Sequence, residues 1–272
     1  MDSHLDTQLE ALKERLLVMA YHAETAVVRS LQALLQRDDS LASQVKQADR
    51  IIDQFEIEID DLGIQQLTKA PLAEDLREKV SSHPREWPQV EIVSGDVLTV
   101  DFGKLVSGNF HIYGNLPYYI TSPILHHLFE YAGQIISIHI VIQLEVAERI
   151  VAKPGRREYG YLSALCQYYA NPAIVLRIPP GAFRPPPKVQ SALVRMTLPG
   201  ERVALNVRDD KRFLQFIQGC FEQKRKTLRN NLKRLASDQE IHRALEDSGL
   251  RLDSRAEQLT LAQFAALFAR LA

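Results

Sequence analysis

The chain has 272 residues, 46% of them hydrophobic and 25% charged, with a formal net charge of −1. This balance belongs to a folded polypeptide of one large domain or two smaller ones, and it excludes a disordered tail, a collagen-like fibre and a disulfide-stapled miniature scaffold. No apolar run approaches a membrane span and the first thirty residues are acidic and polar, unlike a signal segment, so the expectation is a cytoplasmic protein without membrane contact.

The near-neutral total conceals a division. Residues 1–75 carry 7 Lys/Arg against 15 Asp/Glu, a net of −8, while residues 76–272 carry 26 against 19, a net of +7. Two solvated surfaces of opposite sign would give this pattern. So would an acidic helical segment joined to a domain that approaches a polyanion. The two cysteines, Cys166 and Cys220, have no C-x-x-C spacing. They read as reduced thiols, with neither a zinc site nor a disulfide framework.

Residues 5–36 read as one long amphipathic helix, with Leu5, Leu9, Leu12, Leu16, Met19, Ala20, Ala23, Val27, Leu31 and Leu34 at three- and four-residue steps. Asp38-Asp39-Ser40 is a turn with a helix cap, and a second helix runs to about Thr68 on a stripe of Leu41, Val45, Ile52, Phe55, Ile59 and Leu62. Together they form an antiparallel hairpin that must bury its stripe against something else. Asp49, Asp53, Glu56 and Asp60 share one face of the second helix. Such a row can hold hard cations, although a solvated acidic face is the plainer reading, and no metal is assigned.

From about residue 88 the texture changes to alternating strands and helices. Residues 90–98, 110–116 and 135–143 are β-branched, apolar runs suited to buried parallel strands. Ser122-Pro123 predicts a cap and first helical residue for a helix over 124–131, with further helices over 144–152 and 161–169. Residues 172–178 and 189–198 pair as antiparallel strands across the loop 179–188. The class is thus an α/β sheet with open loops at the strand ends, where ligands sit. Residues 209–271 are helical throughout in pattern.

Four stretches carry chemistry. Asn115-Leu116-Pro117-Tyr118 ends a strand with an amide, a proline and an aromatic. The Asn115 side chain and the carbonyl beside the proline accept from an exocyclic amine, while the tyrosine ring stacks on the base that carries it. The proline stiffens the turn and supplies no competing N–H. Gly95-Asp96-Val97-Leu98 places a carboxylate where it accepts either from a ligand's adenine amine or from a backbone turn. The loop around Phe183, with Arg184, Pro185, Pro186, Pro187 and Lys188, is stiff enough to set Phe183 as a second stacking wall, or is simply a rigid connection. Residues 221–235, FEQKRKTLRNNLKRL, hold six cations against one acid. On one helix these spread over a broad face with Leu228, Leu232 and Leu235 pointing inward, either solvated or facing RNA phosphates. Glu145 and Glu148 read as surface or salt-bridge residues rather than acid/base catalysts.

These segments are matched together in one family. EIVSGDVLTVDF, YGNLPYYITSPILHHLFE, QLEVAERIVAKPG, YGYLSALCQYYA, FRPPPKVQSALVRM and FEQKRKTLRNNL follow one another in an order that closely resembles the KsgA-type ribosomal RNA adenine N6-dimethyltransferases, over about residues 72–272. The resemblance implies S-adenosylmethionine as cofactor, with Asp96 against its adenine and Asn115 bordering both cofactor and target amine. Asn115, Leu116, Pro117, Tyr118 and Phe183 become the catalytic set that grips the target base. Lys224, Arg225, Lys226, Arg229, Lys233 and Arg234 become the RNA-binding set, and small-subunit (16S) ribosomal RNA or a pre-ribosomal particle becomes the partner of a monomeric enzyme. In-line methyl transfer needs the amine positioned rather than a strong base.

One feature departs from that family. Its members begin with a strand, a glycine-rich loop and an acidic residue for the ribose, whereas the only glycine here before Gly95 is Gly63, in a helical pattern. Weak or absent cofactor binding is therefore expected. Residues 1–77 instead resemble the N-terminal part of PhoU-type phosphate-transport regulators, through LKERLLVMA, Asp49, Asp53 and Glu56, and the stretch APLAEDLR, with about two helices of a three-helix unit.

The expected organisation is a PhoU-like helical hairpin (1–75), a truncated Rossmann-like methyltransferase sheet (76–205) and a C-terminal helical RNA-binding domain (206–272). A non-catalytic RNA- or ribosome-binding remnant and a PhoU-like phosphate-signalling or metal-binding module are the alternatives.

Overall fold

A computed structural model describes residues 2–36, 38–68, 71–82, 89–184, 186–224 and 226–271, with side chains described except at 2–12, 53, 56, 57, 60–68 and 71–75. The chain divides into two compact units, Met1–Gly95 and Asp96–Ala272.

In the first unit, α1 (Asp2–Gln36) and α2 (Asp39–Thr68) form the expected antiparallel pair. The Asp38 carboxylate closes the turn by accepting from the backbone N–H of Ser40 and Leu41 at 2.9 and 3.0 Å, which satisfies amides that the first helical turn leaves free. His22 stacks on Phe55 with ring centroids 5.5 Å apart, and Arg15 lies over the same ring while pairing with Glu58 at 3.4 Å. Leu41, Val45, Ile52, Phe55 and Ile59 are half-buried, as their spacing predicts. On α1 the outcome differs. Met19 and Ala23 of the expected stripe are half-buried while Leu16, Val27, Leu31 and Leu34 remain exposed, and Leu5, Leu9, Leu12 and, on α2, Leu62 lie outside the described side chains.

A third helix, α3 (Pro71–Ser82), adds to the two expected. Proline at its first position needs no amide partner there, and LAEDLREK is rich in helix formers. Asp53, Glu56 and Asp60 of the acidic row lie outside the described side chains. Among the described residues no group of three His, Cys, Asp or Glu side chains is placed to hold a metal ion.

The strand expected over 90–98, which spans the boundary between the units, does not form: residues 90–94 are irregular and 97–99 turn. The Asp96 carboxylate accepts from Leu98 N–H at 2.9 Å and its carbonyl from Thr99 N–H at 3.0 Å, so both amides are used locally. A strand persists only in a ladder, and the described sheet holds no neighbour for this run. A single turn, α4 (Phe102–Leu105), then leads into β1 (Phe110–Asn115), α5 (Thr121–Phe129), β2 (Ile135–Gln143), α6 (Leu144–Val151), α7 (Tyr161–Tyr169), β3 (Asn171–Ile178) and β4 (Ser191–Thr197). The sheet order is β1-β2-β4-β3, with β1 parallel to β2 and the other pairs antiparallel.

Helix α5 begins two residues before the predicted proline position, with Ile120 at its cap and no side-chain cap bond, because a 3-10 turn at Tyr118–Ile120 feeds directly into it. Alternation in the strands sends Ile138, Ile140 and Ile142 of β2 and Ala192, Val194 and Met196 of β4 into the core, in one cluster with Ile124, Leu125, Leu128, Ile150 and Leu165. The other face is open at β1, where Tyr113 is 74% exposed and stacks on His139 at 4.7 Å. Residues 110–116 therefore do not form a strand buried on both faces. Strand β1 stands at the sheet edge, with Phe110 in the core and Ile112 packed against it.

The C-terminal part is helical as predicted, through α8 (Arg202–Leu205), α9 (Asp210–Cys220), α10 (Leu228–Leu232), α11 (Asp238–Asp247) and α12 (Leu261–Leu271). Its core is continuous with that of the sheet. Tyr168 donates to Asp210 at 2.5 Å, and Arg202 pairs with the same carboxylate at 2.6 Å, tying α7 and α8 to α9.

Residues 221–235 are not one helix: residues 221–224 turn, only Leu228–Leu232 is helical, and Leu235 is exposed while Leu228 and Leu232 are buried. The cause is Asn231. Its buried amide donates to the Cys220 carbonyl at 2.7 Å and accepts from Gln223 N–H at 3.3 Å, which folds the chain back on α9. Among the described residues no helix is long and apolar enough to cross a membrane.

Candidate functional site

Strand β1 ends at Asn115, and Leu116 N–H still donates to the Val141 carbonyl at 3.1 Å, so β2 holds the chain one residue further. Pro117 then takes φ −58° and ψ 133°, turning the backbone outward before the Tyr118–Ile120 turn. The turn is tied to the helix behind it by the Thr121 hydroxyl, which reaches the carbonyls of Pro117 and Tyr118 at 3.3 Å. Asn115 is thereby presented, exposed, at the C-terminal end of a parallel strand.

The loop after β3 supplies the opposite side. A pocket of about 330 Å³ is lined by Asn115, Leu116, Pro117 and Tyr118 from the turn and by Phe183 and Pro187 from the loop. This volume stands at the low end for ligand pockets and suits one planar ring better than an extended ligand. The Tyr118 and Phe183 rings are both half-buried and contribute apolar walls, while the Asn115 amide has no hydrogen-bond partner among the described residues. An amide acceptor free between two aromatic side chains can receive an exocyclic amine. Pro185 lies outside the described residues, and Arg184 and Lys188 are exposed.

All five residues expected to grip a base therefore meet, although the segments that carry them are far apart in sequence. Asp96 is not among the residues lining this pocket, and its carboxylate caps its own turn. Glu148 pairs with Arg177 at 3.2 Å, as its reading as a salt-bridge residue requires. Neither cysteine offers a nucleophile. Both are buried and unpaired, and burial pushes the Cys220 thiol up to about 12 and that of Cys166 higher still.

The basic stretch is partly neutralised. Arg229 and Lys233 approach Asp238 at 2.9 and 3.8 Å, Arg234 pairs with Glu222, and Lys224 donates to the Arg157 carbonyl at 2.5 Å. The Arg229 hydrogen bond holds the Asp238 carboxyl below its ordinary range, so this pair is intact above that range and is lost only as pH falls through the lowered value. Arg225 lies outside the described residues, and Lys226 is exposed. The positions of Glu222 and Asp238 give no hint in sequence that they face these cations, since the pairing depends on the fold-back at Asn231.

Two family models match the chain. One described as ribosomal RNA adenine dimethylase covers residues 64–272, and one described as PhoU domain covers residues 16–83, so the two overlap over 64–83. The ribosomal RNA small subunit methyltransferase A of Shewanella piezotolerans is 40% identical over 207 residues, 75% of this chain and 75% of that protein. Among solved structures, the 23S rRNA methyltransferase ErmE is 28% identical with a TM-score of 0.53, covering 75% of this chain and 79% of its own. A dimethyladenosine transferase from Plasmodium falciparum, 21% identical with a TM-score of 0.60, covers 72% of this chain and 76% of its own and shares the fold.

Proposed function

The chain belongs to the ribosomal RNA adenine dimethylase family, and we propose that it grips an adenine of small-subunit ribosomal RNA between Tyr118 and Phe183, with the exocyclic amine on Asn115. The family's enzymes transfer methyl groups from S-adenosylmethionine to ribosomal RNA. What supports the reading for these residues is the pocket itself, which joins an unpartnered amide to two aromatic walls. The carbonyl chain at Leu116-Pro117 offers a second acceptor, and Pro117 withholds the N–H that would compete. The full chain is expected to quench the fluorescence of a single-stranded RNA carrying 2-aminopurine, which reports stacking between Tyr118 and Phe183. It is also expected to bind the adenine RNA more tightly than the same RNA with purine lacking the 6-amine, which reports the Asn115 contact. RNA binding without any quenching would overturn the assignment.

The residues present do not fit the whole cofactor. No glycine-rich turn precedes Gly95, the described sheet has no strand beyond β1, and Asp96 is engaged with Leu98. That mismatch favours a second reading, an RNA-binding protein that engages its adenine without transferring a methyl group. Calorimetric titration with S-adenosylmethionine is expected to give no saturable binding at micromolar concentrations. An affinity in that range would remove the second reading.

We place the phosphate contacts on residues 206–272, with Lys226 carrying a fully available charge and Lys224, Arg225, Arg229, Lys233 and Arg234 around it. The protein is read as a cytoplasmic monomer. Asp238→Asn is expected to release Arg229 and Lys233, strengthening RNA binding and steepening the salt dependence by about one unit in the log–log slope. A salt titration of the variant against the parent checks this, and an unchanged slope would place these cations away from the RNA.

A further inference from the structure

We propose that Ser191 is a positioning residue for the base pocket, its hydroxyl holding the Tyr118 ring at the tilt that stacking needs. This rests on the reading of the pocket given above. Ser191 is fully buried, and its Oγ lies 2.6 Å from the Tyr118 Oη across 73 residues of chain. It is the first residue of β4, in register with Gln143 of β2 and Ile178 of β3. The preceding residue is pinned as well, since Leu144 N–H donates to the Gln190 carbonyl at 2.9 Å.

The hydroxyl is therefore fixed by three strands, whereas Tyr118 sits on a short 3-10 turn with more freedom. One hydrogen bond joins the turn that presents Asn115 to the strand at which the Phe183 loop re-enters the sheet. A ring held only at its Cα end can swing about two side-chain torsions. A ring held also at its oxygen keeps one orientation. Stacking geometry between the two walls is set in this way, while RNA affinity, which comes mostly from phosphate contacts, is left alone.

The test uses the full chain and its Ser191→Ala, Tyr118→Phe and doubly substituted forms. Quenching of a 2-aminopurine RNA reads base capture, and anisotropy of an end-labelled RNA reads overall binding. Each single substitution is expected to weaken base capture about five-fold, the cost of ordering one freed side chain on binding, while overall binding moves less than about two-fold. The double variant is expected to lose no more than either single, because both remove the same bond.

Unchanged quenching in the singles, or losses that add in the double, would overturn the proposal while leaving the pocket assignment standing. Absence of quenching in the parent chain would overturn both. Should Ser191→Ala melt at a lower temperature, Tyr118→Phe still decides, because it keeps the ring and changes no residue of the sheet.

Discussion

Truncating Tyr118 and Phe183 together to alanine is expected to lower adenine capture roughly a thousand-fold, since each base–aromatic stack is worth about 1–3 kcal/mol. The two side chains face one pocket from separate segments, so the loss removes both walls and leaves Asn115 to hold an amine on an otherwise unsupported base. An amine bond in open water contributes little, because water competes for both partners. Overall RNA binding is expected to change far less, which separates capture of the base from docking of the strand. Tyr118→Phe provides the contrast: it keeps the ring and is expected to lose only roughly five-fold, the cost of ordering a ring no longer held by Ser191. Equilibrium titration with 2-aminopurine RNA measures all three forms. A double truncation that still quenches within about ten-fold of the parent would show that the base binds elsewhere.

Gly200→Ala is expected to destabilise the second unit by about 3 kcal/mol or more, the upper range for forcing extra carbon into packed structure. A Cβ at this position would stand 2.4 Å from the Gln167 carbonyl oxygen, 2.5 Å from the Ala170 nitrogen and 2.8 Å from the Ala170 carbonyl oxygen. All three are backbone atoms at the end of α7, so no side chain can rotate away. The close approach is made by hydrogen bonds, from Gly200 N–H to the Tyr169 carbonyl at 2.9 Å and from Glu201 N–H to the Gln167 carbonyl at 3.1 Å. Through Gln167, whose side-chain amide donates to the carbonyls of Ile150 and Ala152, the strain reaches the end of α6. Thermal melting should shift down by roughly 6–12 °C for a unit of this size. Gly133→Ala serves as the control, with no atom within 4 Å of its Cβ, and is expected to stay within about 0.5 kcal/mol of the parent. Equal melting temperatures for the two variants would show that the contact at Gly200 relaxes without cost.

Much of this architecture was legible in local patterning. The 3.6-residue spacing of α2, the β-branched apolar runs that became β1 and β2, and the Asp38 cap depend on residues a few positions apart, and each element appears where its pattern places it. The base-gripping turn was legible for the same reason: Asn115 to Tyr118 are consecutive, and Pro117 alone sets the backbone that presents them. The third helix was the local signal left unread, in a proline followed by helix formers.

What the sequence by itself determined is therefore most of the helices and strands, the chemistry of the Asn115–Tyr118 turn and the missing glycine-rich loop. Tertiary structure decided the rest, because each remaining outcome needs a partner far away in the chain. Residues 90–98 have the composition of a strand, but a strand requires a neighbour's carbonyls and amides, and among the described residues the sheet has no strand beyond β1. The run 221–235 has the composition of a basic helix, but buried Asn231 bends it toward the Cys220 carbonyl and brings its cations to Glu222 and Asp238. Phe183 meets Tyr118, and Ser191 meets its hydroxyl, only because β4 returns antiparallel between β2 and β3. Side-chain spacing records which face of an element is apolar. Which distant group then completes a polar or aromatic side chain is set by the closing of the sheet.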